Sequence, residues 1–567
     1  MAIVLGITNT QDSGACLLKN GKIIAAINEE RFNRDKLTQK FPINSIKWIL
    51  KECNLKKNEI DAIGMGIWKG ISKEFFPEYV NEIISRSEKD RTGNILQDRF
   101  ESSVKSDQVK KQEFFNGLKR LGLEKIPIFW CDHHLAHAYS AFMFSPFNNA
   151  LTITSDARGD FLSSSVTIWK RGRKPKIIHQ DSEFNSLGVF YGWITNYLGF
   201  TPYRHEGKIT GLAALGDPKK CLHIMKKMIG FRKGKIISNI GEYYAPYVKA
   251  KLPKLRKELS KYTREEIAAA AQFWLERLMV DVTKFYLNKT KETNLCVAGG
   301  IFANVLVNMK LREIDKVKGF FVFPHMGDGG IAAGGGAYAS TKLDDRVKSI
   351  KDVYLGIEFS EKQIFKSIKV KNVTVRKPKK IFQDTAKLLE KGAVVGFFSG
   401  KTEYGPRALC NRSVLVRTTD KKINIDLNKR LHRTEFMPFA PVTMEKFAKK
   451  CYKNWSKNDI TSYFMTCCFK CTELLKKQSP AIVHIDGTAR PQILNKNINK
   501  QAYEILNEYY KITGIPSLIN TSFNAHEEPI VNNPKDALKL LKQNGIDILC
   551  IPPYIVYKNK KWEKLLK

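Results

Sequence analysis

Between residues 3 and 27 the chain reads "IVLGITNTQDSGACLLKNGKIIAAI", three apolar runs separated by a polar turn and by an Asn-Gly pair. Apolar runs of this length bounded by turn residues predict three strands joined as hairpins. Residues 150 to 179 repeat the order: apolar strand, Asp-bearing turn, strand, Gly turn, strand. Recurrence of one unit predicts a duplicated architecture, each copy followed by helical segments. Further on, "LCVAGGIFANVLVN" predicts a strand ending at Gly299 and Gly300 and a helix starting near Asn304. "FVFPHMGDGGIAAGGGAY" predicts a strand end carrying Asp328, then five glycines leading into a small-residue helix. From about residue 381 a second α/β pattern begins, with an amphipathic helix and the strand "GAVVGFF".

The paired hairpin units resemble the duplicated α/β fold of actin and sugar kinases, the ASKHA architecture, in which both turns face a shared nucleotide cleft. The expected organisation is an α/β chain with an ASKHA-like N-terminal domain over 1–345, a Lys-rich connector over 346–380 containing "RKPKK", and a C-terminal α/β domain over 381–567.

Composition narrows the classes. A chain of 567 residues with 43% hydrophobic and 11% aromatic residues can bury large cores in at least two domains, which excludes a disordered protein. The opening residues lack a basic leader, and no apolar run approaches the roughly 18 residues of a membrane span. A cytoplasmic protein without membrane association is expected. Eleven scattered cysteines do not form a disulfide framework, and "CCFKC" supplies one CxxC pair, Cys468 and Cys471, half of a zinc site. Lys+Arg 95 against Asp+Glu 56 gives a net charge of +39, which suits anionic partners such as nucleotides, phosphates or RNA. The excess is mostly lysine scattered in short pairs, which a solvated face explains equally well.

Candidate chemistry sits at the predicted turns. "HHLAHAYSAF" places His133 and His137 four apart, so on a helix both imidazoles can reach one cation. The spacing also admits two polar residues on a helix edge, and a metal site needs further donors, for which distant carboxylates are the natural suppliers. Asp156 either faces the cleft or caps its own turn. Gly299 and Gly300 let backbone approach a nucleotide and aim helix N–H groups at negative charge, or they turn the strand. Asp328 is a candidate oxygen ligand or Mg-ATP contact, and its glycines equally suit tight helix packing. In the second region "SGKTEYGPRALCNRS", "NKRLHRTEFMPFAPV", "HIDGTARPQ" and "INTSFNAHEEPIV" bring arginine and asparagine to turns flanked by Gly, Pro and aromatic residues, the pattern of a clustered oxyanion site.

With "INEERFNRDK", "SLGVFYGWITNYLGF" and "EGKITGLAALGDP", these ordered motifs resemble the carbamoyltransferase family of nodulation and antibiotic-tailoring O-carbamoyltransferases. The resemblance implies a first domain similar to the one that transfers carbamoyl groups in tRNA threonylcarbamoylation, and a YrdC-like second domain. It implies Fe(2+), or another divalent metal, on His133, His137, Asp156 and Asp328. Lys36 falls where the family contacts carbamoyl adenylate, and Gly299, Gly300 and Asn304 where it holds the nucleotide. Arg407, Arg433 and Arg490 match the arginines that hold carbamoyl phosphate, and Asn520, Ser522 and Asn524 of "NTSFN" are further cofactor-binding candidates. Two positions depart from the family pattern: Gln11 stands where a histidine is common, and His526 and Glu527 where Arg-Gly usually precedes Glu-Pro.

The implied reaction is ATP-dependent O-carbamoylation. Carbamoyl phosphate is cleaved, the carbamate is adenylated by ATP with Mg(2+), and carbamoyl-AMP passes internally to a hydroxylated small-molecule or sugar acceptor. A homodimer is a candidate assembly, and a nucleic-acid partner is not expected. Two other readings are an RNA-modifying carbamoyl-transfer enzyme, whose relatives carry a Glu inside the histidine motif, and an inactive nucleotide-binding regulator on the same fold.

Overall fold

The first hairpin unit folds as its pattern predicts: β1 (Ile3–Thr8), β2 (Gly14–Lys19) and β3 (Lys22–Asn28) form an antiparallel meander. Asn20 and Gly21 turn between the last two with φ of 53° and 68°, the left-handed geometry that Asn-Gly supplies cheaply. β4 (Ala62–Met65) and β5 (Ile128–Trp130) extend the sheet in parallel, giving the order β3-β2-β1-β4-β5. The second hairpin unit repeats this topology. β6 (Asn149–Gly159), β7 (Leu162–Lys170) and β8 (Lys176–Ser182) form the meander, and β9 (Asn294–Ala298) and β10 (Gly319–Val322) add in parallel beside β6.

The structure is a computed structural model that describes residues 2–90, 92–432 and 439–566, with the main chain alone at 88–90. Two compact units emerge: Met1–Glu29 with Leu37–Ile350, and Glu30–Lys36 with Lys351–Lys567. In the first, the helix His133–Met143 packs against the helix Ile331–Lys342, which also lies on β1 and β4. The glycines of "IAAGGG" make that approach possible. A Cβ on Gly334 would stand 2.0 Å from the Ala136 carbonyl oxygen, and one on Gly64 only 2.1 Å from the Gly335 oxygen. Tight helix packing is therefore what these glycines serve, and it fixes the short turn Asp328–Gly330 at the head of the helix.

The second unit carries an eight-stranded mixed sheet. Its strands are β11 (Thr374–Arg376), β12 (Val395–Phe398), β13 (Arg412–Val416), β14 (Ala440–Met444), β15 (Gln492–Leu494), β16 (Ser517–Ser522), β17 (Ile548–Ile551) and β18 (Tyr554–Tyr557). They run in the order β11-β18-β17-β12-β13-β16-β14-β15. The helices Ile381–Glu390 and Lys500–Thr513 pack together over a core that includes Leu388, Val395, Leu506 and Ile548. Residues 351–380 fold into this unit, with the helix Glu361–Ile368 and β11 paired along β18. So does the short segment Glu30–Lys36, whose Arg34 donates to the carbonyls of Pro529 (2.7 Å) and Ile530 (2.8 Å). Among the described residues no helix is long and apolar enough to cross a membrane, and all eleven cysteines are free.

Candidate functional site

His133 and His137 open the first two turns of their helix on one buried face, both with no exposed surface. Asp132 caps that helix, its side chain accepting from the Leu135 N–H at 2.8 Å, which sets where the helix begins and so where the imidazoles point. Their Nε2 atoms lie 3.1 Å apart. Asp156 reaches the pair from β6, its Oδ2 3.7 Å from His133 Nε2 and 3.3 Å from His137 Nε2. Asp328 reaches it from the short turn at the head of the helix Ile331–Lys342, its Oδ1 3.7 and 3.6 Å from the same two nitrogens. One donor atom from each of the four residues falls within 4.8 Å of every other.

Two imidazoles and two carboxylates are a donor set suited to a divalent first-row cation. The protein by itself accommodates their proximity through protons. Burial pulls the pKa of His137 down, but hydrogen bonds and charge from Asp156 and Asp328 override it and raise the value to about 9. Burial works against ionising Asp156, yet the two histidines hold its carboxyl well below the usual range. The Nδ1 atoms of both histidines are buried without hydrogen-bond partners among the described residues. A cation at the Nε2 side would exploit convergent donors that otherwise crowd one another, so the residues fit a metal.

Neighbouring groups hold the donors in place. The Gly300 N–H donates to Asp156 Oδ2 at 3.0 Å and the Ala157 N–H to its Oδ1 at 2.7 Å. Gly299 holds φ at 109°, and a Cβ there would stand 2.3 Å from the Ser155 oxygen, so both the backbone conformation and the space call for glycine. Asp160 accepts from the backbone N–H of His133 (2.9 Å) and of Gly70 (3.0 Å), and burial raises its pKa to about 7. Asn304 caps the helix Val305–Arg312 and donates to Gln272 Oε1 at 2.8 Å, the same oxygen that accepts from Tyr191. Gln11, at the departure in the first turn, donates to the Tyr203 carbonyl.

The second unit brings Arg407 and Arg490 into mutual electrostatic range. Burial lowers the pKa of both, and Arg490 lowers that of Arg407 further. Two half-buried guanidiniums that repel each other are charges suited to an anion. Glu403 organises the Arg407 loop, its Oε1 accepting from the N–H groups of Leu409 (2.7 Å), Asn411 (2.8 Å) and Arg412 (3.1 Å). Asn520 is buried and donates to Gln492 Oε1 at 2.7 Å and the Ala408 carbonyl at 3.3 Å, which ties the same loop to β16. Ser522 donates to Asn524, and Asn524 to the Glu528 carbonyl, each at 2.7 Å. Lys36 lies 3.9 Å from Glu527, which lies 3.5 Å from His526. Arg433 lies outside the described residues.

Sequence reasoning missed Asp160, Arg158 and Glu403. Asp160 and Arg158 stand in the same "SDARGD" stretch as Asp156, so closely spaced charges at a strand end were the available signal. For Glu403 there was only its place in a Gly- and Arg-rich turn.

Residues 3–337 match the family described as carbamoyltransferase N-terminus, and residues 386–558 the carbamoyltransferase C-terminus. An uncharacterized protein of Methanocaldococcus jannaschii, MJ1051, is 31% identical over 570 residues, spanning 98% of this chain and 100% of its own length. Nodulation protein NolNO of Sinorhizobium fredii is 29% identical over 589 residues (99% and 82% of the two chains), and nodulation protein U of that species 24% over 560 residues (92% and 94%). The crystal structure of full-length HypF in its phosphate- and nucleotide-bound form matches at 12% identity over 61% of this chain and 47% of that one, with a TM-score of 0.33, a distance at which the likeness says nothing about the site. Matched in both halves across most of its length, the chain belongs to the carbamoyltransferase family and is a transferase.

Proposed function

We propose that this protein is an ATP-dependent O-carbamoyltransferase acting on a hydroxyl of a small molecule or glycan. The observation that carries this reading is the convergence of His133, His137, Asp156 and Asp328 in a chain of this family. The repeated strand order of the two five-stranded sheets supports an ASKHA-like reading of the first unit. The second unit is read as YrdC-like, the part that handles carbamoyl phosphate and ATP.

In the second unit Arg407 and Arg490, with Arg433, neutralise the phosphate of carbamoyl phosphate. Water cleaves it to carbamate and inorganic phosphate. A carbamate oxygen then attacks the α-phosphorus of ATP, pyrophosphate leaves and carbamoyl-AMP forms. In the first unit the acceptor hydroxyl oxygen attacks the carbamoyl carbon, its proton is lost, and the bond to AMP breaks. Fe(2+), or another divalent cation, held by His133, His137, Asp156 and Asp328 would supply Lewis-acid polarisation of the carbamoyl carbonyl. The Gly300 and Ala157 N–H groups keep Asp156 aimed at the histidines, and Asn304 presents an amide already oriented by Gln272.

Carbamoyl-phosphate-dependent exchange between ATP and pyrophosphate tests the first half, and gain of one carbamoyl group by candidate hydroxylated acceptors, read by mass spectrometry, tests the second. Exchange independent of carbamoyl phosphate would contradict the reading.

A further inference from the structure

Asp156 does not sit on a regular strand. The β6–β7 register runs evenly to Ser155 opposite Ser164 and resumes at Gly159 opposite Leu162, so residues 156–158 form a bulge with more residues on β6 than on its partner. A bulge re-aims its side chains away from the sheet and leaves ladder groups unpaired, so something else must fix its shape. Around it lies a buried charge cluster unconnected with the metal donors. Arg158 Nη2 forks onto both oxygens of Asp107 at 2.9 and 2.8 Å, and its Nε donates to Glu183 Oε2 at 3.0 Å. Glu183, fully buried, also pairs with the Arg99 guanidinium at 2.9 Å and accepts from Ser103 at 2.9 Å and Tyr79 at 3.1 Å. These partners belong to the helices Phe76–Asp90 and Gly93–Leu121 and to the turn Glu183–Asn185. From the other side Ser186 donates to the Asp156 carbonyl at 2.9 Å, and Gly188 passes so close that a Cβ would stand 2.5 Å from the Ala157 nitrogen.

We infer that Arg158 is a positioning residue: by bridging Asp107 and Glu183 it locks the 156–158 bulge and thereby aims the Asp156 carboxylate at His133 and His137. Two carboxylates and two guanidiniums balance one another in the cluster, so Arg158 carries no spare charge for a substrate, and its planar fork spans two separate acids in a way a lysine cannot. Asp107 and Glu183 tie the strand irregularity to two long helices.

The inference rests on the metal reading of the four donors, and metal binding tests it directly. The full chain, stripped of metal, is titrated with Co(2+) against a chelator while the visible absorption of bound Co(2+) reports donor geometry. Wild type should bind Co(2+) and His137→Ala should not. Arg158→Met and Asp107→Asn should each weaken Co(2+) binding by about 10- to 100-fold, the range for removing a partner that orients a ligand, and should change the absorption envelope. A merely structural role would lower the melting temperature of the metal-free protein and leave affinity and spectrum alone. If Arg158→Met does not fold, Asp107→Asn, which keeps size and shape, decides. Wild-type affinity and spectrum in the folded variants overturn the inference. Equal Co(2+) binding by wild type and His137→Ala instead overturns the metal reading, and the inference falls with it.

Discussion

At the scale of single residues, the four donors were legible because each signature was local: two histidines at helical spacing, and two aspartates at the ends of apolar runs. What spacing could not tell was whether they meet, since Asp156 arrives from a bulge in β6 and Asp328 from the turn ahead of the helix Ile331–Lys342, far apart in the chain. The partners that hold them, Asp107 and Glu183 for the bulge, gave no signal because their pairing exists only in three dimensions. Two predictions belong at this scale. His137→Ala should abolish bound metal while circular dichroism stays near wild type, because a ligand is lost and the helix backbone is untouched; retained metal content would contradict it. The second concerns pH. His137 titrates at about 9 in the metal-free protein, so over most of the neutral range a metal must displace its proton, whereas Asp156 is already ionised. Co(2+) affinity should therefore rise as pH goes from 6 towards 9 and level off above it. Affinity flat across that window would show that His137 gives up no proton on binding.

At the scale of elements, both hairpin units appear where their apolar blocks place them, because three short strands joined by tight turns are specified by neighbours in sequence, although Asp156, expected in a turn, lies within β6 and the turn falls at Asp160 and Phe161. Less was legible where pairing is non-local. The segment Glu30–Lys36 follows β3 directly yet belongs to the second unit, held by Arg34 on the carbonyls of residues 529 and 530. Residues 346–380 read as a Lys-rich connector, since a short edge strand such as β11 has little pattern of its own and is defined by its partner β18. The glycine-rich helix Ile331–Lys342 yields a direct prediction. Gly334→Ala puts a methyl carbon 2.0 Å from the Ala136 oxygen, so the helix must move off the one that carries His133 and His137. The cost should be on the order of 1–3 kcal/mol, seen as a lower melting temperature, together with weaker metal binding because Asp328 heads the displaced helix. An unchanged melting temperature and metal affinity would contradict that packing.

At the scale of the whole molecule, the net charge of +39 gave little guidance, since scattered lysines say only that anions are attracted. The division of chemistry says more: half-buried guanidiniums in one unit, convergent imidazoles and carboxylates in the other. An anion site missing one of two half-buried guanidiniums loses much of its charge pairing, so Arg407→Ala should release little pyrophosphate in response to carbamoyl phosphate. Asp328→Ala should adenylate normally and carbamoylate nothing. The most direct test of this account is to supply chemically made carbamoyl-AMP and an acceptor to both variants and measure the carbamoylated product. Product from Arg407→Ala and none from Asp328→Ala is the predicted result; failure of both variants with carbamoyl-AMP, or product from both, would contradict the assignment of the two half-reactions to two separate sites.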